Sequence, residues 1–368
     1  MFKPHFSISL VLSFLVLLMT QSALANEPAK ATKEEEHASG HAHGPINTEE
    51  AISEYKEHHL KDAHDFVLFK NGATNKHYGF HLPVIIIDNG VQVFSSSKFN
   101  WEESVAENNG NYYKIVHGQI WKTDATGKAM IKKPLDLSIT KNVLGMLLTG
   151  GLMLWFFISL AKGYKKSAIP SGIGRVLEPL VLYVRDDIAR PNIGEAKYRK
   201  FMSYLLTVFF FIWIVNLLGM TPLGFNVTGN IAVTLCLALF TFIIVNFSGN
   251  KDYWGHIFWM PGVPVIMKIV LAPIEVLGMF TKPFSLMIRL FANMTAGHFV
   301  VMSLIALMIL LKKSFGVVGS TGLSVFLTLF ISVIELLVAF LQAYIFTMLT
   351  SLFIGMAVQD HHHEEAHH

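Results

Sequence analysis

Apolar residues in this chain fall into runs, and the length of each run limits what it can become. Val143 to Leu160, Phe201 to Leu218 and Asn230 to Phe247 each approach the ~20 residues that carry a helix across a bilayer, with hardly a charge among them. Pro264 to Leu311 and Leu323 to Val358 share the helical texture but run on, to roughly 70 Å and 50 Å if unbroken. Helices of that length must tilt steeply, bend or lie partly in the interface, and Pro273, Gly278 and Pro283 offer bending points in the first. A short turn containing Gly and Ser joins the two, which predicts that they pack antiparallel.

Ahead of these runs the period changes. From about Tyr78 to Lys133, FHLPVIII and VQVFSSSKF flank Asp88-Asn89-Gly90, a hairpin signal, and YYKIVHGQIWKT before DATGK predicts a further strand and turn. Residues 26 to about 64 hold little that a core could bury. The expected fold is an all-α polytopic membrane protein of about five membrane helices, the last two long, tilted and antiparallel, with a small mainly β N-terminal extracytoplasmic module. Its expected divisions are a signal peptide at 1–25, a His-rich flexible linker at 26–77, the β-rich module at 78–138, the membrane domain at 139–358 and a His-rich tail at 359–368.

Composition sharpens this picture. Apolar residues make up 52% of the chain and charged residues 15%, so the runs are not the cores of two or three soluble domains. Net charge is +3 with histidines neutral, and the basic residues cluster in one loop, which gives no nucleic-acid surface. That loop, with Lys162, Lys165, Lys166, Arg175, Arg185, Arg190, Lys197, Arg199 and Lys200, marks the cytoplasmic side and predicts an interfacial amphipathic helix. Lys312 and Lys313 then fall on the extracytoplasmic side, against the charge rule. Lys3, the apolar stretch Ile8 to Met19 and Ala23-Leu24-Ala25 read as a secretory signal cleaved after Ala25, which places the mature N-terminus outside the cytoplasm. The one cysteine, Cys236, lies inside an apolar run, so the polar N-terminal region holds no disulfide.

His37, His41 and His43, and again His58, His59 and His64, have spacings that suit a metal, but no carboxylate or thiolate framework fixes a geometry. A solvated polar segment is the reading adopted, for the C-terminal HHHEEAHH as well; no metal and no cofactor are expected. A phosphate-cradling GxxxxGK[ST] loop is absent from the sequence, so nucleotide chemistry is not expected of this chain.

The chemistry lies in the polar residues of the two long runs: Glu275, Arg289, Asn293 and His298 in the first, Glu335 and Gln342 in the second. An Arg near the centre of a membrane helix costs from about 3 to over 10 kcal/mol, so a chain that keeps Arg289 there needs its charge. In an antiparallel pair, setting Arg289 level with Gln342 brings His298 near the level of Glu335, and a His–carboxylate pair inside a membrane suits a proton relay. At 100° per residue Arg289 and Asn293 share a helix side while His298 points nearly opposite, so Arg289 is expected to face a charged surface and His298 an aqueous pathway. Plainer readings exist. Glu275, bracketed by Lys268 and Lys282, would simply be solvated at the interface; Asn293 and Gln342 would be hydrogen-bonding glue; His298 and Glu335 would be a structural pair. Snorkelling explains Arg289 poorly, because it sits deep in its run with no basic cluster nearby.

The stretches KPFSLMIRLFANMTAGH, LLVAFLQAYIFTMLT and, more loosely, NLLGMTPLGFNVTGNIAVTLCLAL resemble subunit a of the bacterial F-type ATP synthase membrane sector, over roughly Val143 to Val358. The resemblance implies that Arg289 is the stator arginine facing a ring of c subunits, that Asn293 and Gln342 are its polar neighbours, and that Glu275 belongs to a cytoplasm-facing half-channel. It implies as partners the c-subunit ring, the b-subunit peripheral stalk and the rest of the complex, in the inner membrane. One departure stands out: some members carry Glu where this chain has His298 and His where it has Glu335, so the pair is exchanged. The rival reading, a self-contained secondary ion or metal transporter, requires an internal repeat and paired broken helices, and the sequence has neither. A purely structural anchor leaves Arg289 unexplained.

Overall fold

The computed structural model describes residues 62–359, apart from 72–75, 89, 102–103, 117, 128–129, 167–171, 222, 261 and 311. The expected signal peptide, His37, His41, His43, His58, His59 and the C-terminal tail lie outside the described residues.

Among the described residues, nine strands come first. β1 (Asp65–Asn71) pairs antiparallel with β2 (Lys76–His81). β3 (Pro83–Ile87) is flanked by β4 (Val91–Ser95) and the short β9 (Leu135–Asp136), while β5 (Ala106–Asn108), β6 (Asn111–Val116), β7 (Gln119–Thr123) and β8 (Met130–Lys132) form a meander. Alternation along β3 turns Val84 and Ile86 inward, where they meet Phe94, Phe99, Tyr113, Ile115 and Ile120 in one core. Asp88 begins the β3–β4 turn and accepts hydrogen bonds from Lys122 Nζ (2.6 Å) and Tyr113 Oη (3.2 Å). The Lys122 bond holds the Asp88 carboxyl below the usual carboxylate range; burial, with the charge of Asp88, pushes the Tyr113 phenol up to about 12.

The strands begin at Asp65 rather than Tyr78, inside the stretch expected to be linker. Cross-strand pairing with β2 decides this: DFVLFKN carries the unbroken apolar run FVLF and lacks the alternation that marks a half-buried strand. His64, grouped with possible metal ligands, is instead buried and bonded to Asp136 (3.0 Å).

The helices follow: α1 (Lys141–Lys166); α2 (Ile173–Tyr183), which runs on through a π-helical stretch (Val184–Ala189) into a final turn (Arg190–Ile193); α3 (Tyr198–Met220); α4 (Ile231–Phe247); α5 (Lys251–Phe258); α6 (Val265–Leu310); and α7 (Lys312–Val358). Among the described residues, Lys141–Lys165, Tyr198–Met220 and Val318–Val358 are long and apolar enough to cross a membrane; α4 and α5, bent by 104° at their junction, reach that length and apolarity only when taken together. α6 continues through Pro273 and Pro283 without interruption. The hairpin turns at Gly316 (φ 70°, ψ 176°), a conformation that favours glycine, within the Gly- and Ser-containing stretch expected to join the two runs. α5 was not expected; it is a short amphipathic helix that follows the break at Gly249.

The helix bundle has two distinct ends. At one, Lys141 N donates to Ala63 O (2.9 Å) and Asn142 N to Asp62 Oδ1 (3.0 Å), which mounts the β module on the start of α1. The 221–230 turn lies at this same end. At the other, Lys197 Nζ (2.6 Å) and Asn250 Nδ2 (2.9 Å) both donate to Val358 O and so cap α7.

Candidate functional site

The polar residues of the long hairpin are placed by its antiparallel packing. Gln342, buried on α7, stands level with Arg289 on α6 and directs Nε2 at the carbonyls of Arg289 and Leu290, 3.5 Å from each. Its Oε1 accepts from Asn216 Nδ2 (2.7 Å) on α3, and Asn216 Oδ1 accepts from Thr228 Oγ1 (2.8 Å). A buried polar chain thus runs from the 221–230 turn to the backbone at Arg289. The sequence reading missed Asn216 and Thr228, because an amide at the end of an apolar run and a Thr in a turn carry no mark of pairing until distant elements meet.

Arg289 is half-buried, and its Nη1 is fully buried without a hydrogen-bond partner among the described residues. A buried N–H left without an acceptor costs about 1–3 kcal/mol, so Nη1 is placed to donate to an acceptor that the described residues do not supply. Glu335 Oε1 is likewise buried and has no hydrogen-bond partner among the described residues. It lies against Gly297 and lines a cavity with Asn216, Asn293, Met294 and Gln342. His298 follows Gly297 on α6; its side chain lies outside the described residues.

A second cavity lies toward the opposite end of the bundle, between α4, α5, α6 and α7. Asn246, Tyr253, Lys282, Leu286 and Phe353 are among its walls. Lys282 Nζ sits 5.2 Å from the Phe353 ring, and Glu275 interacts electrostatically with both Tyr253 and Lys282. The two cavities share no lining residue. Along α6 the order is Lys282 and Leu286 on the first, then Arg289, then Asn293 and Met294 on the second. Leu286 and Asn293 are separated by about 10 Å along the helix axis. The site therefore brings together Asn293, Glu335 and Gln342, sets Glu275 apart from them, and places Arg289 between the two groups. Among the described residues no group of His, Cys, Asp or Glu is arranged to hold a metal.

Comparison with known proteins adds three findings. Residues 143–355 match the ATP synthase A chain family, and residues 55–137 match a domain of unknown function. The chain is 45% identical over 240 residues to ATP synthase subunit a 2 of Chlorobaculum tepidum, covering 63% of this chain and 66% of that protein. It is 45% identical over 274 residues to ATP synthase subunit a of Pelodictyon phaeoclathratiforme (70% and 79%), and 38% identical over 326 residues to ATP synthase subunit a 2 of Prosthecochloris aestuarii (82% and 98%).

Proposed function

The chain belongs to the ATP synthase A chain family, and from that premise we propose that it is the stator of the proton path, passing protons through two offset half-channels separated by Arg289. It is a non-catalytic proton-channel component of the synthase and a membrane protein. Protons enter from the extracytoplasmic side past His298 and Glu335, with Asn293 and Gln342 lining the way, and reach a carboxylate on a ring of c subunits. They leave past Glu275 toward the cytoplasm. Arg289 stays charged, stabilises the ring carboxylate while it is deprotonated, and repels a proton that would cross directly. One proton moving through 100 mV releases about 2.3 kcal/mol, so a leak at this point wastes the energy that rotation must gather.

The observation that carries this reading is the buried, unpartnered Nη1 of Arg289, set between two cavities with no wall in common. The same reading counts α1, α3, α4, α6 and α7 as membrane helices, with the last two tilted. It puts the chain in the inner membrane, the β module in the periplasm after loss of residues 1–25, and the b-subunit stalk among its neighbours. The test is co-purification together with proton flux. The chain should come out with a ring of small hairpin subunits and conduct protons only in their company; ion uptake by the isolated chain contradicts the proposal.

A further inference from the structure

We propose that the N-terminal β module is a brace for the arginine site: by clamping the 221–230 turn, it holds Thr228, Asn216 and Gln342 in the order that fixes α7 against α6 at Arg289. The geometry stands by itself; its consequence for proton leak rests on the reading of Arg289 given above.

The module is fastened to the membrane domain at several points. Besides the backbone bonds to the start of α1, Lys141 Nζ lies 5.9 Å from the Phe66 ring, and Phe66 is 3% exposed. Phe66 stacks on Phe80 and meets Phe225 of the turn, ring centres 5.4 Å apart. Phe225 and Val227 fill the notch left at Gly145 of α1, where a β-carbon would stand 2.8 Å from Phe225 Cδ1 and 3.0 Å from Val227 Cγ2. The turn has no charged residue, and only two internal backbone hydrogen bonds, Gly224 N to Thr221 O and Asn230 N to Val227 O, are seen among its described residues. It takes its shape from what packs on it.

Thr228 follows this clamp directly. Its hydroxyl is fully buried and carries one proton, which it gives to Asn216 Oδ1. Asn216 turns its NH2 toward Gln342 Oε1, and the Gln342 NH2 faces the α6 carbonyls. Reversing Asn216 alone sets its Oδ1 against Gln342 Oε1, and reversing both amides sets Gln342 Oε1 against the α6 carbonyls, which only accept. The polarity is fixed at α6, and Thr228 supplies the one proton that the buried Asn216 Oδ1 then needs. At 3.5 Å the last bonds are long, and the side chain making them depends on its 2.7 Å bond with Asn216 to stay in place.

Hydrogen exchange on the full chain in the assembled membrane sector, read alongside passive proton leak, tests the brace. Phe66→Ala should speed exchange in 221–230 by about fivefold and raise the leak. Phe66→Leu serves at that position should the alanine variant not accumulate, since it keeps most of the apolar volume and loses the ring contact. Thr228→Val should raise the leak without loosening the turn, Thr228→Ser should restore wild-type behaviour, and Val93→Ser, on the exposed face of the module, should change neither. Wild-type exchange in 221–230 with either Phe66 variant, or wild-type leak with Thr228→Val, overturns the brace. Failure of the Arg289 reading looks different: exchange responds as described, while Arg289→Ala leaves coupling intact.

Discussion

The carboxylate of Glu335 on α7 rests directly against Gly297 on α6, so closely that a β-carbon at Gly297 would lie 2.5 Å from Oε1. The glycine gives the acid room beside the helix turn that carries His298. Gly297→Ala pushes only the far end of a flexible side chain, so the protein should still fold while Glu335 is displaced from its cavity. ATP-driven proton pumping should fall by about threefold or more with normal assembly; an unchanged rate separates Glu335 from the proton path.

Gln342→Leu tests the buried polar chain. The substitution leaves the Asn216 amide without its acceptor, a loss of about 1–3 kcal/mol. Thermal unfolding in detergent should shift downward, and the double variant with Asn216→Leu should lose less than the sum of the two singles.

Gly355→Ala is expected to be harsher. Here a β-carbon would overlap the backbone carbonyl of Asn192, at the end of the turn that follows the π-helical stretch, and a carbonyl in a packed helix cannot swing aside. Ser351 Oγ also bonds to Ile188 O (3.0 Å), which ties the same two segments together. The amount of chain accumulating in membranes should drop severely, and normal accumulation would show that this contact yields.

The β module carries two opposed pH responses. The folded value of Asp88 is depressed, so its contribution is present above the unfolded value of about 3.9 and is lost as pH falls through the lower folded one. Tyr113 is raised, so its contribution is present below the unfolded value of about 10. That contribution is lost as pH rises toward the folded value of about 12. Amide protection of β3, β6 and β7 should therefore weaken at both extremes. Lys122→Met should lower protection near neutral pH and shrink its loss on acidification, since it removes the main cause of the depression; an acid limb of unchanged size contradicts that assignment.

How much of this was legible in the sequence follows from how local each signal is. Asn230 to Phe247 was placed almost to the residue, because Asn230 caps α4 by accepting from Ala232 N (3.0 Å) and every following side chain suits an apolar helix. Arg289, Gln342 and Glu335 were legible as polar residues in apolar surroundings, and the antiparallel hairpin set Gln342 level with Arg289. Other features needed the fold. β1 exists through its pairing with β2, the positive φ selects Gly316 among the glycines of the joining stretch, and Asn216 meets Gln342 across elements far apart in the chain.

The central claim is that the Arg289 charge keeps the two proton paths apart beside a moving carboxylate. Its most direct test is ATP synthesis driven by an imposed proton gradient in vesicles that carry Arg289→Ala in an otherwise intact, fully assembled synthase. The expected result is no coupled synthesis together with raised proton leak; synthesis at the wild-type rate would contradict the claim outright.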